Sequence, residues 1–127
     1  MIKVFIERAL TPEDLIEARR IARLRKAYLE YEEEGEEPPM WIREEVPLEV
    51  ARRLLSDKIV EIVEVLSSKK EYNITKLAEA VHRSPPNIHR DLVFLKKHRL
   101  LTFIDRGREK IPVLLFKRVV IEVQSHS

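Results

Sequence analysis

Thr75 to Leu101 reads TKLAEAVHRSPPNIHRDLVFLKKHRLL, and the fold is decided there. Leu77, Ala78 and Val81 recur at helical spacing behind Thr75, which can cap a short helix. His82, Arg83 and Ser84 make a turn, with His82 at the position where glycine is usual and a positive φ carries a modest cost. Ser84 is a capping type, and Pro85 takes the first helical position, where its missing N–H is not needed. Proline also forbids one continuous helix from Ala80 through Ile88, so the break is written into the sequence. The second helix places Ile88, Leu92 and Leu95 on one face and Pro86, Arg90, Val93 and Lys97 on the other, with Asn87, His89 and Phe94 on the flanks.

Two helices about a tight turn, the second with a basic outer face, are the grammar of a helix-turn-helix. Ser84 and Pro86 stand at the end that enters a major groove first. Arg90 can donate bidentately to guanine, Asn87 can pair with adenine, and His89 can reach a base or a phosphate. Lys96, Lys97 and Arg99 lie later on the helix and suit phosphate, which sets affinity but not sequence. The competing reading is an ordinary charged helix with Arg90 paired to Asp91 or Glu79. The turn, the prolines and the hairpin that follows weigh against it.

That hairpin comprises strands at Leu100 to Asp105 and Lys110 to Phe116, joined by Arg106-Gly107-Arg108-Glu109. Glycine permits the tight turn, and Arg106, Arg108 and Lys110 put positive charge at its tip, suited to phosphate or the minor groove. Pro112 cannot donate to a ladder, which predicts an edge strand. Asn73 and Ile74 can supply a short strand before Thr75. Arg118 to Gln124 reads as one more strand, able to pair with Ile2 to Glu7 of the same or a neighbouring chain.

Upstream, Ile2 to Glu7 alternates as a short strand, and Thr11-Pro12-Glu13-Asp14 opens a helix running to about Glu33. Its stripe of Ile21, Leu24, Tyr28 and Tyr31 must be covered, either by its own domain or by a second copy in a dimer. Glu32 to Pro39, EEEGEEPP, is a linker, most simply solvated surface, with mimicry of phosphate as the sharper alternative. Met40, Trp41 and Ile42 form an apolar cluster that anchors the linker to a core. Pro47 to Leu55 starts a short helix with Val50, Leu54 and Leu55 on its apolar side, and Ser56 caps another bearing Ile59, Ile62, Val63 and Leu66.

The chain has 127 residues, 44% of them hydrophobic, enough for one core plus an extension. With no cysteine, thiolate metal sites and thiol nucleophiles are excluded. His89 and His98 are nine residues apart, about 180° around a helix, so they cannot share a metal. Nothing resembles a phosphate loop, a carboxylate pair or an activated nucleophile. A binding protein without metal, cofactor or small-molecule ligand is expected, rather than an enzyme. No apolar run is long enough for a membrane span, and no signal peptide is evident, which predicts a soluble, cytoplasmic protein. Charged residues make up 36%, whereas Gln124, Asn73 and Asn87 are the only amides, a balance found in thermophile proteins. Charge is segregated: nine acids and one base between Ala27 and Val50, but ten bases and three acids from Val81 to Arg118. The C-terminal half is the half that attracts a polyanion.

RLLSDKIVEIVEVL, ITKLAEAV, SPPNIHRDLVFLKKHRLL, the basic hairpin ending in Pro112 and the closing IEV together resemble archaeal MarR/ArsR-like winged helix-turn-helix regulators. The N-[IV]-x-R-D-[LV] core of that family is matched by Asn87, Ile88, Arg90, Asp91 and Leu92, within a likeness spanning Val46 to Val123. The chain departs at Arg99, where the family often has glycine, and at Phe116, where tyrosine is usual. The resemblance implies DNA-binding transcriptional control, usually as a dimer. The expected fold is therefore α+β and mostly helical: a strand and helix serving as a dimerisation arm (1–34), a linker (35–46) and a winged helix-turn-helix domain (47–127). The expected partners are double-stranded DNA and a second copy, with no membrane. The alternative is a winged-helix protein-interaction subunit of a transcription or other nucleic-acid-processing complex.

Overall fold

A computed structural model describes residues 1–11 and 41–123. Their elements are β1 (Ile2–Ala9), β2 (Trp41–Val46), α1 (Leu48–Leu54), α2 (Asp57–Leu66), α3 (Ile74–Ala80), α4 (Pro85–Lys97), β3 (Leu101–Arg106), β4 (Glu109–Leu114) and β5 (Phe116–Val123). The class is α+β, and the described residues are not mostly helical, with 39% of them in helix and 36% in strand. The helix expected from Thr11 to Glu33, its Ile21, Leu24, Tyr28 and Tyr31 stripe, and the Glu32 to Pro39 linker lie outside the described residues, Thr11 apart.

The chain divides into two compact units, Met1–Glu45 with Lys117–Ser127, and Val46–Phe116. The division differs from the sequence boundaries at two strands. Residues 41–46, expected to end a linker, form β2, and β5 joins the N-terminal strands in a sheet of order β2-β1-β5.

In the first unit, Val4, Ile6 and Arg8 alternate into the interior of β1, and Ile42 is buried on β2. WIREEV looks like a linker because three of its six residues are charged. As a strand it finds partners far along the chain: Glu44 accepts from Arg8, while Arg43 lies over the Phe5 ring and donates to Glu122 at 2.8 Å. Of the expected anchoring cluster, Met40 lies outside the described residues. Ile42 enters the core, whereas Trp41 stays partly exposed with the Lys117 ammonium 4.5 Å from its ring centre.

In the second unit, α3 packs on α4, α2 and β4, and α2 also contacts α1. Ile59, Ile62, Leu77, Ile88, Leu92 and Leu95 meet in its core with almost no exposed surface. Leu100, Leu101 and Ile111 extend that core under the hairpin, whereas Leu55, expected on an apolar side, is exposed. β3 and β4 are antiparallel, with Leu101 opposite Leu114 and Arg106 opposite Glu109, so the turn is shorter than the four residues expected. Its first residue, Gly107, has φ of +67° while Arg108 stays out of the positive region, which fits a type II′ turn. In a two-stranded sheet both strands are edges, so Pro112 interrupts no interior ladder.

Candidate nucleic-acid interface

The start of α3 corrects two expectations. Asn73 is the cap, its side chain accepting from the Lys76 N–H at 2.7 Å, and Ile74 is the first helical residue rather than part of a strand. Thr75 lies one residue inside the helix. Asn73 has the extended backbone of a cap and accepts from the N–H three residues on, the usual capping geometry.

Both helices of the motif end in the same way. After α3, Arg83 N–H reaches Ala78 C=O and His82 N–H reaches Glu79 C=O; after α4, Leu100 reaches Leu95 and Arg99 reaches Lys96. These are two Schellman motifs, each needing a left-handed residue just past the helix. His82 (φ +54°) and Arg99 (φ +59°) occupy those places. Arginine therefore adopts the glycine conformation instead of moving the helix end.

α4 starts at Pro85 with Ser84 extended as its cap, although no side-chain cap bond forms and the hydroxyl stays accessible. Ile88, Leu92 and Leu95 are fully buried, and Phe94, expected on a flank, is buried too. Pro86, Asn87, His89, Arg90, Lys96 and Lys97 are all exposed, as is Val93 between Arg90 and Lys97. The pairing of Arg90 with Asp91 or Glu79 is not formed. Asp91 turns inward instead, taking Arg83 at 2.7 Å and Arg53 of α1 at 3.5 Å. That carboxylate ties the turn and α1 to α4.

On one shoulder of α4, Lys96 lies over the Phe103 ring of β3 at 5.4 Å. On the other, the Arg53 guanidinium lies 4.2 Å from the centre of the Phe94 ring, and Phe94 meets His98 edge-on at 5.0 Å. Burial holds the His98 pKa below its ordinary value, with Lys97 and Arg53 adding repulsion against the weaker pull of Glu49. Of the hairpin cations, Arg106 pairs with Glu71 at 3.0 Å, whereas Arg108 and Lys110 project into solvent. A hydrogen bond from Asn73 to Glu109 ties the other side of the turn to the start of α3. The structure thus gathers the candidates on α4 along one exposed face and, among the described residues, leaves two of three hairpin cations without an ion pair.

The model of the HVO_A0114 family matches residues 54–121, more than half of the chain. The chain belongs to the HVO_A0114 family. The HVO_A0114 match starts at the last residue of α1 and runs through the helix-turn-helix and hairpin into β5. Among solved structures, the crystal structure of NolR from Sinorhizobium fredii is similar over 53% of this chain and 70% of that one, at 20% identity and a TM-score of 0.47. No curated protein matches the chain.

Sequence reasoning missed Arg53, Glu71 and the inward role of Asp91. Arg53 lies just outside the HVO_A0114 match, and its partners sit 38 and 41 residues downstream on α4. The available signal was Asp91 itself, an acid beside Leu92 on an otherwise basic helix. Among the described residues no helix is long and apolar enough to cross a membrane, and no group of His, Asp and Glu is arranged to hold a metal.

Proposed function

We propose that the chain is a sequence-specific, double-stranded DNA-binding transcriptional regulator of the archaeal MarR/ArsR-like kind, cytoplasmic and homodimeric. α4 enters the major groove, and Arg108 and Lys110 touch the backbone or minor groove. The observation that carries this reading is the state of Arg90 and Asn87. Both are exposed on the N-terminal half of α4, no hydrogen bond or ion pair engages their side chains among the described residues, and the opposite face of the helix is sealed in the core. A bidentate arginine and an amide so placed suit guanine and adenine edges, and exposed Val93 suits a thymine methyl. The role is binding, with no catalysis and no cofactor. Paired through the stripe from Ile21 to Tyr31, two copies would read half-sites about 34 Å apart.

In vitro selection of bound DNA followed by fluorescence titration tests it. Arg90→Ala lowers discrimination by roughly 1–3 kcal/mol at one base position, whereas Arg108→Ala weakens all sequences alike and lowers the salt slope by about one. If selected duplexes and the chain's own promoter bind no better than an acidic polymer, the reading is wrong. The exposed apolar side chain of Val93 also suits a protein partner. Salt-insensitive DNA titrations with a stoichiometric protein complex would point to that interaction role.

A further inference from the structure

This inference rests on the DNA-binding reading and extends it to a residue outside the helix-turn-helix. α1 and α4 leave between them an open cleft of about 470 Å³, walled by Glu49 and Arg53 on one side and by Arg90, Phe94, Lys97 and His98 on the other. We infer that this cleft receives the sugar-phosphate backbone bordering the groove that α4 enters, with Arg53 as a phosphate ligand supplied by α1.

Arg53 is already oriented for that task. Its guanidinium carbon lies over the Phe94 ring, one amino group stands 3.5 Å from Asp91, and the side chain remains 45% exposed. A guanidinium carries five N–H donors, and the single contact with Asp91 leaves N–H groups for a phosphate. Arg90 and Lys97 stand across the cleft from Arg53, and Glu49 is its one acid, so a polyanion is the occupant favoured by charge. The position also fits. Lys96 and the hairpin lie on one shoulder of α4 and Arg53 on the other, as contact with backbone on both sides of a groove requires.

Salt titrations on the selected duplex test the assignment with Arg53→Gln, Arg53→Lys and Glu49→Gln in the full chain. Arg53→Gln is expected to weaken matched and unmatched sequences alike, roughly three- to tenfold near 0.15 M salt, and to lower the log–log salt slope by about one. Arg53→Lys keeps the slope. Glu49→Gln tightens all sequences roughly twofold by removing like-charge repulsion. Because Arg53→Gln also loses its Asp91 contact, Glu49→Gln supplies a second readout, with no hydrogen bond or ion pair engaging Glu49 among the described residues, and urea unfolding of both variants separates lost stability from changed binding. If both neutral variants bind as the unchanged chain does while Arg90→Ala binds weakly, the cleft is off the DNA path and the inference is overturned. A loss confined to one base position overturns it as well, as does displacement of cleft contacts by an acidic peptide but not by DNA. If the unchanged chain binds no duplex, the function itself fails, and the inference with it.

Discussion

Asp91 and Arg8 are buried charges in different units, and they are held in different ways. Asp91 sits on α4 with its side chain 12% exposed, gripped by Arg83 from the turn and Arg53 from α1. Arg8 has no exposed surface and continues the inward row of Val4 and Ile6, while its partner Glu44 on the neighbouring strand keeps 21% exposure. One charge joins three segments and orients a helix. The other crosses a strand pair to a carboxylate that reaches water, and Arg8 and Glu44 each have further contacts. Burial alone therefore does not measure what a charge contributes; what is left behind on its removal does.

The largest expected effect breaks that contrast directly. Asp91→Ala strands Arg83, whose side chain is only 16% exposed, and should cost about 3 kcal/mol in urea unfolding. Arg8→Met puts an apolar side chain into an apolar row and leaves Glu44 able to hydrate, but it also removes the further contacts of Arg8, so about 2 kcal/mol is expected. If Arg8→Met costs more than Asp91→Ala, the sheet and not the helix carries the more consequential charge.

The same contrast explains what was legible in the sequence. Ile88, Leu92 and Leu95 announced their face because a helix repeats its own pattern within four residues, and the Ser84-Pro85-Pro86 break needed no distant partner. Arg90, Asn87 and Lys97 followed from that face. The charges of β2 did not announce a strand, because Glu44 and Arg43 are matched by Arg8 and Glu122, 36 and 79 residues away. Arg53 was invisible for the same reason: its place beside α4 is set by tertiary packing. Gly107 marked the hairpin, but the pairing of Arg106 with Glu71 again comes from a distant segment.

A smaller effect compares the two helix ends. His82 and Arg99 hold left-handed backbone that costs an L-residue about 1–2 kcal/mol, offset in part by the greater unfolded freedom of glycine. His82→Gly should raise stability by about 0.5–1 kcal/mol, and Arg99→Gly by somewhat less, because Arg99 is engaged elsewhere as well. Alanine at either position keeps the Cβ and should give no gain. Equal gains from alanine and glycine in thermal unfolding would place the cause in the lost side chain, not the backbone.

The smallest effect lies in pH and sharpens the picture of the α1 shoulder. Three groups face the His98 ring: Lys97 on its own helix, and Arg53 and Glu49 on α1, with burial the leading cause of its lowered pKa. Between that lowered value and the ordinary 6.5, the unfolded chain binds more protons than the folded one, so stability rises with pH there. The contribution is complete above about 6.5 and is lost as pH falls through the lowered value. His98→Gln should therefore flatten the acid side of the stability profile while leaving the neutral side in place. An NMR titration of the free chain should find His98 below the ordinary 6.5, and one on the DNA complex should find it raised, because a phosphate in the cleft favours the charged ring. A His98 pKa that rises on adding DNA to the unchanged chain but not to Arg53→Gln would tie the two sides of the cleft to one bound phosphate. A value indifferent to DNA would leave the hairpin side as the phosphate-gripping shoulder of α4.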